Sequence, residues 1–269
     1  MILSHFKTDR MFYEFDYAQL EIRVLALATG DHQLIEDIGS GMDMHNHFAK
    51  RIFRKSEISP QERRLAKGFS FQLQYGAGAK GIAKHWNVDE ELASTFIKEY
   101  FSRYPSVLSW QKQMLECGNV TLKHRGDEVN FESVPSYYIP SIWKHPITSK
   151  AISYFRLVAE KPPWADDYRI SPTKCKNYPI QGAASDIMMF ALNRLNRALI
   201  GTSATICNTV HDSVLLEVTD QAEEVIHRTK RALEGVGEEI EKLFEISVPI
   251  PFPVDYASGR TLEEVKKSS

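Results

Sequence analysis

Met11-Phe12-Tyr13-Glu14-Phe15-Asp16-Tyr17-Ala18-Gln19-Leu20-Glu21-Ile22-Arg23 is the stretch on which the reading of the fold turns. Met11 to Phe15 is a short aromatic run and predicts a strand that delivers Asp16 at its end. Leu20 to Leu27 then suits a helix, stopped near Gly30. A single Asp at a strand end is most often a turn or capping residue. A second acid changes that reading. Ala204 to Val210 and Val214 to Val218 are β-rich and flank His211-Asp212-Ser213, which predicts a hairpin with Asp212 at its tip. Two aspartates distant in sequence can share magnesium, which takes one or two carboxylates plus substrate oxygens and water.

Between the two acids lies a cationic helix. Ser59-Pro60-Gln61-Glu62 reads as its start, with Ser59 as N-cap, Pro60 at the first position and Glu62 three residues after the cap. Arg63, Lys67 and Phe71 follow at intervals of four and project from one face. Tyr75 continues the series before Gly76 and Gly78 end the run. An Arg and a Lys one turn apart are by default a solvated face. A lone histidine such as His45 is by default structural.

The rest of the chain gives a coarser pattern. Asp31 to Ile52 is mostly helical, broken by Gly39 and Gly41. Val88 to Cys117 reads as helix interrupted at Pro105. Asn119 to Ser171 reads as strands and loops, its aromatics (Tyr137, Tyr138, Trp143, Tyr154, Phe155, Trp164 and Tyr168) forming local core rather than a base-stacking platform. Ala183 to Ile200 and Gln221 to Phe244 are helical. Val248 to Val254 is expected as a proline-bearing edge strand.

Composition sets limits. The 269 residues can bury a substantial core. With 43% hydrophobic and 25% charged residues, the balance is that of an ordinary globular protein. The formal net charge of −2 is not that of a simple nucleic-acid coat. Local cations at Arg63, Arg64, Lys67, Lys80 and Lys84 still allow DNA contact. Cys117, Cys175 and Cys207 show neither a zinc pattern nor a disulfide framework. No apolar run suggests a membrane span, and Met1 to Arg10 has no signal-peptide pattern. A cytoplasmic, non-secreted protein is expected.

The order, contexts and spacing of these stretches resemble motifs A, B and C of family A DNA polymerases, the DNA polymerase I family. The resemblance covers about Phe12 to Tyr256. It implies an α+β fold: a palm built on an antiparallel sheet with packed helices, and a mainly helical fingers subdomain. The expected division is residues 1–38 as palm, 39–171 as fingers with connecting strands and loops, and 172–269 as palm. The implied activity is template-directed addition of dNTPs to a primer 3′-hydroxyl, with two magnesium ions (manganese able to substitute) and release of pyrophosphate.

Residue roles follow from the same resemblance. Asp16, Asp212 and the Tyr17 carbonyl hold the metals. Arg63 contacts the γ-phosphate, Lys67 contacts the phosphates and is placed to protonate pyrophosphate, and His45 touches the triphosphate. Glu21 matches a steric gate against the ribose 2′-hydroxyl, where related single-subunit RNA polymerases have a small residue. Gln19, beside it, belongs to the same nucleotide-contacting motif. Phe71 implies discrimination against dideoxynucleotides. Tyr75 stacks at the template–primer end. Asn177, Gln181 and His211 match residues that contact template and primer near the minor groove.

Departures are visible. Ala18 replaces the usual Ser, and Ser70 and Gln72 replace Asn and Gly. Thr173 stands where bacterial enzymes carry an arginine, leaving Lys174 or Lys176 to compensate. Ser213 stands where a second acid is common. This set is more similar to the phage branch. Only fifteen residues precede Asp16, so thumb and exonuclease are expected to be absent, with an apolar sheet edge exposed. The expectation is the C-terminal half of a split polymerase whose partner chain carries thumb and 3′–5′ exonuclease. A fragment of a longer polymerase, or a decayed DNA-binding or scaffolding protein, is the alternative; a two-metal nuclease would leave the cationic helix unexplained.

Overall fold

In the computed structural model, the backbone is described for residues 10–126, 137–144, 152–160 and 169–268, and side chains within 10–116 and 171–266. In chain order, β1 is Met11–Tyr17. Seven helices follow: α1 Leu20–Thr29, α2 His32–Gly39, α3 Met44–Phe53, α4 Pro60–Gln74, α5 Ala79–Trp86, α6 Glu90–Arg103 and α7 Pro105–Gly126. Strands β2 Tyr137–Lys144, β3 Ile152–Glu160 and β4 Arg169–Ile170 precede α8 Pro172–Ala198. The hairpin β5 Ala204–Val210 and β6 Ser213–Val218 leads to α9 Ala222–Glu234, α10 Val236–Phe244, β7 Val254–Gly259 and α11 Leu262–Ser268. The fold is α+β, as expected.

Two compact units emerge. One takes the described residues up to Arg23 together with Ala183 onward; the other is Val24–Gly182. The first is built on an antiparallel sheet of order β5-β6-β1-β7. Strand alternation sorts its two faces. Tyr13, Phe15 and Tyr17 are buried on one face, in register with Leu216, Val214 and Val254 of the flanking strands. Ile187, Ala191 and Leu195 of α8 and Val225 and Leu233 of α9 are likewise buried. Glu14 and Asp16 leave β1 on the other face. A bulge at Cys207 shifts the β5–β6 register just before the hairpin tip. β5 and β7 are the edges among the described strands of this sheet. The large apolar side chains exposed there, among the described residues, are Val210, 51% exposed, and Tyr256, 45% exposed.

The second unit is mainly helical. Phe48 centres an aromatic cluster with Phe96, Tyr100 and Tyr104, at ring separations of 5.3 to 5.7 Å. Asp31 and Asp37 are buried polar anchors. Asp31 caps α2 and accepts from the Ser106 N–H at 2.9 Å; Asp37 accepts from Arg103 and from the Tyr104 hydroxyl. A separate three-stranded sheet, β2-β3-β4, is also antiparallel. The side chains of the aromatics expected to form local core there lie outside the described residues.

Several boundaries differ from the sequence reading. The edge strand is Val254–Gly259, not Val248 to Val254. Pro251 and Pro253 have no N–H to offer a ladder. Their carbonyls instead accept from Arg23 and from the Ala18 N–H. α8 starts at Pro172 rather than Ala183 and carries Pro179 inside it. The Gln221 to Phe244 segment is two helices, parted at Gly235. α5 was not anticipated as a separate helix.

Candidate active site

The carboxylate face is assembled by the sheet of the first unit. Asp16 lies opposite Ser213 on one side and Asp255 on the other. Asp212 sits in the two-residue turn between β5 and β6, after His211 in the left-handed region at φ 53°. The Tyr17 N–H donates to the Asp212 carbonyl at 3.2 Å, which ties the hairpin tip to the end of β1. The two carboxyl groups hydrogen-bond and repel. Asp16, although exposed, is pushed up to about 6 by desolvation first, then by Asp212, Glu14 and Asp255.

Other residues hold this end of β1. Arg23, 9% exposed, donates to the carbonyls of Ala18 at 2.8 Å and Pro251 at 2.7 Å. Ala18 N–H donates to Pro253 O at 3.0 Å. Tyr17 is buried on the opposite face and donates its hydroxyl to Leu233 O at 2.7 Å. Ser213, 8% exposed, donates to Glu14 at 3.1 Å and to the Val210 carbonyl at 3.1 Å.

This donor set fits a hard divalent cation. A carboxylate held near another and made harder to ionise is what a cation relieves. No group of three or more His, Cys, Asp or Glu side chains suited to a metal occurs among the described residues. The ligands would therefore be the two aspartates and main-chain oxygen, completed by substrate or water.

The second cluster lies on α4 and α3 of the helical unit. α4 opens with the expected capping box: Glu62 N–H donates to Ser59 Oγ, and Ser59 N–H donates to Glu62 at 2.9 Å. Arg63 and Lys67 are exposed on this helix, and Phe71 is half-buried. Arg63 Nε donates to Asp43 at 2.8 Å, and Asp43 also caps α3 through the Asn46 N–H at 3.0 Å. Burial opposes ionisation of Asp43, but the bonds from Arg63 and Asn46 outweigh it and hold the carboxyl below its usual range.

His45 follows on α3, 4% exposed, its ring 6.2 Å from that of Phe71. Neither ring nitrogen has a hydrogen-bond partner among the described residues. Burial first, then Arg63 and Lys67, push it down to about 4, against the pull of Asp43, so it is neutral at pH 7. Lys67 Nζ lies 5.8 Å from the Phe71 ring centroid. Gly68 on the same helix faces Trp86, leaving no space for a side chain.

The remaining residues are placed singly. Glu21 is half-buried in the first turn of α1, and Gln19 is exposed with φ 57°. Tyr75 caps the C-terminus of α4. Asn177, half-buried, and Gln181, exposed, lie one turn apart on α8. His211 is exposed at the hairpin tip. Lys176 packs over Gly76, whose φ of +79° and lack of a side chain allow the approach. Glu14, Asp255, Arg23 and Asp43 were not singled out from the sequence. Glu14 and Arg23 stood within the quoted stretch; Asp255 and Asp43 become visible only through strand register and tertiary pairing.

The sequence model described as DNA polymerase family A matches residues 2–124 and 165–264. The chain belongs to DNA polymerase family A. This family A chain is 33% identical over 224 residues to the thermostable DNA polymerase I of Thermus thermophilus, which covers 82% of the chain and 24% of that protein. It is 29% identical over 269 residues to DNA polymerase I of Bacillus caldotenax, covering 97% of the chain and 27% of that protein. The family A chain thus spans about a quarter of the length of the curated relatives it matches. Its fold is similar to the POL domain of Pol1 from M. smegmatis, solved in complex with DNA primer-template and dNTP. There the TM-score is 0.69 and the identity 24%, over 97% of this chain and 41% of that one. No helix among the described residues is long and apolar enough to cross a membrane.

Proposed function

We propose that this chain carries the nucleotidyl-transfer core of a template-directed DNA polymerase, extending a primer 3′-hydroxyl with dNTPs and releasing pyrophosphate. The observation that carries the proposal is the Asp16–Asp212 pair, crowded enough to raise Asp16 to about 6. Asp16, Asp212 and the Tyr17 carbonyl would hold the magnesium or manganese ions. When bound, these polarise the attacking hydroxyl and offset charge on the leaving phosphates.

The chain's own residues supply binding and selection. Arg63 and Lys67 neutralise the triphosphate, with Lys67 placed to return a proton to the leaving group. His45, neutral and without a hydrogen-bond partner among the described residues, offers a nitrogen to a phosphate oxygen. Glu21 excludes the 2′-hydroxyl, Gln19 contacts the nucleotide and Phe71 sets sugar selection. Tyr75, Asn177, Gln181 and His211 contact the template–primer. The sheet-bearing segments 1–38 and 172–269 would act as palm, and 39–171 as fingers with connecting elements.

We further propose that the grip on duplex DNA comes from a thumb- and 3′–5′ exonuclease-bearing polypeptide that acts with these residues. A cytoplasmic setting suits such a pair. A non-catalytic DNA-binding or scaffolding role is the second reading, favoured by Ser213 in place of a second acid.

Primer extension decides between them. The purified chain is assayed alone and with a thumb-bearing partner, beside Asp16→Asn and Asp212→Asn. Loss of a metal ligand is expected to cut extension at least about a hundredfold. Extension that survives both substitutions, or is absent in both settings, overturns the catalytic reading. Processive synthesis by the chain alone removes the need for the partner.

A further inference from the structure

Two stretches share one pattern: Arg194-Leu195-Asn196-Arg197-Ala198 and Arg228-Thr229-Lys230-Arg231-Ala232. The first closes α8 and the second lies in α9. Positions i, i+3 and i+4 of a helix share one face. The two stretches face each other in opposite directions. Arg194 Nε donates to Ala232 O at 2.9 Å, and Arg228 Nη1 donates to Ala198 O at 3.4 Å. Each helix is thereby tied by an arginine to the far end of the other's repeat.

The small alanines leave space between the guanidinium groups. The four arginines and two alanines line an open cavity of about 400 Å³. Gly235 sharpens its shape, since a Cβ there would lie 2.4 Å from Arg194 Nη2. None of the six lining residues is aromatic, so the walls recognise charge rather than a base.

The charge is only partly matched. Glu239 accepts from Arg194 at 3.2 Å and from Arg197 at 3.1 and 3.2 Å; Glu224 accepts from Arg228 at 2.5 Å. Arg231 is exposed and has no ion pair among the described residues. Four cations thus meet two carboxylates. The cavity also lies apart from the carboxylate face. Tyr17 leaves β1 on the side opposite Asp16 and bonds to Leu233 of α9, next to the second repeat.

We propose that this cavity binds closely spaced phosphate groups on one ligand, at a site distinct from the Asp16–Asp212 pair. Guanidinium forks match phosphate oxygens two at a time, and four forks offer more donors than the Glu239 and Glu224 carboxylates accept. The volume falls in the range of small-ligand sites, roughly 300–1,000 Å³. The phosphates can come from a free polyphosphate or from the backbone of a nucleic acid crossing this side of the sheet.

Calorimetric titration with sodium tripolyphosphate, at low ionic strength and without divalent ions, tests the site. The Arg63→Ala/Lys67→Ala chain is used, so that the triphosphate contacts proposed above do not contribute. One binding event is expected to remain. Adding Arg197→Ala and Arg231→Ala, both at exposed positions, is expected to weaken it at least about tenfold. Lysine at both positions keeps the charge, loses the fork and gives an intermediate affinity; this pair carries the test if the alanine variant melts early. Displacement of tripolyphosphate by a thymidine oligonucleotide without a terminal phosphate identifies a backbone ligand; failure to displace identifies a free polyphosphate. The proposal falls if the background variant binds nothing, if neither arginine pair change alters affinity, or if polyglutamate binds as tightly.

Discussion

Ser213 on β6 donates its hydroxyl to the Glu14 carboxylate on β1 at 3.1 Å, across the strand pair that positions Asp16. The position where related motifs commonly hold a second acid is therefore a donor serving an acid on the neighbouring strand. Ser213→Asp sets two carboxylates against each other in a site 8% exposed. A loss of about 1–2 kcal/mol of stability is expected, from repulsion and the lost bond. Glu14→Gln in the same chain should recover most of it. Chemical denaturation of both single variants and the double variant measures the coupling; additive effects would refute it.

Asp16 links protons to metal. Its folded carboxyl titrates at about 6 against 3.8 unfolded. The folded state therefore binds the proton more tightly, and the metal-free chain loses stability as pH rises from about 4 to about 6. Asp16→Asn should abolish that loss, a gain of no more than about 1 kcal/mol at pH 7 after solvent screening. A cation must displace the same proton. Manganese affinity should fall by up to about tenfold per pH unit below 6. Titration calorimetry across pH 5 to 8 checks this; a flat profile contradicts it.

His45 trades stability for readiness. Its two buried nitrogens lack partners among the described residues, so His45→Leu should stabilise the chain by about 1 kcal/mol. The sign with pH is opposite to that of Asp16. The folded imidazole titrates at about 4 and the unfolded one at 6.5. Wild type loses stability as pH falls through that window, because the unfolded chain takes up the proton first. His45→Leu should remove this loss while weakening dNTP binding. Melting curves at pH 5 and pH 7, with dNTP titrations, report both effects.

Gly68 is a packing requirement on the cationic helix. A Cβ there would meet the Trp86 ring at 1.9 Å. Ala is normally better than Gly in a helix by about 1 kcal/mol. Gly68→Ala is nonetheless expected to destabilise by about 1–3 kcal/mol through overpacking. Trp86→Leu added to it should relieve the clash. A rise in Tm for Gly68→Ala alone would show that Trp86 moves aside freely.

The parts legible in the sequence were those written in local chemistry. The Ser59–Glu62 capping box, the aromatic strand before Asp16 and the hairpin around Asp212 each depend on neighbours a few positions apart. α8 begins at Pro172, ahead of the expected Ala183, and the long helix accommodates the missing N–H donor of Pro179. β7 begins only at Val254: Val248 to Val254 has strand-like residues, but Pro251 and Pro253 offer no N–H to a ladder, and the Val248 N–H donates to Glu241 instead. Pairings between distant positions were not legible. Ser213 with Glu14, Asp255 opposite Asp16 and Asp43 with Arg63 arise from register and packing, for which one sequence holds no signal.

Arg23 gives the carboxylate site a foundation far along the chain. Its guanidinium clamps the carbonyl of Ala18 and that of Pro251 at once. The height of Asp16 above the sheet is thus set partly by the segment leading into β7, which bears none of the proposed metal ligands. Damage to that segment would act like a loosened hinge pin, shifting Asp16 while every proposed site residue is still present in the chain. Lesions around Pro251 should then mimic active-site lesions in effect, though Pro251 carries none of the proposed site roles.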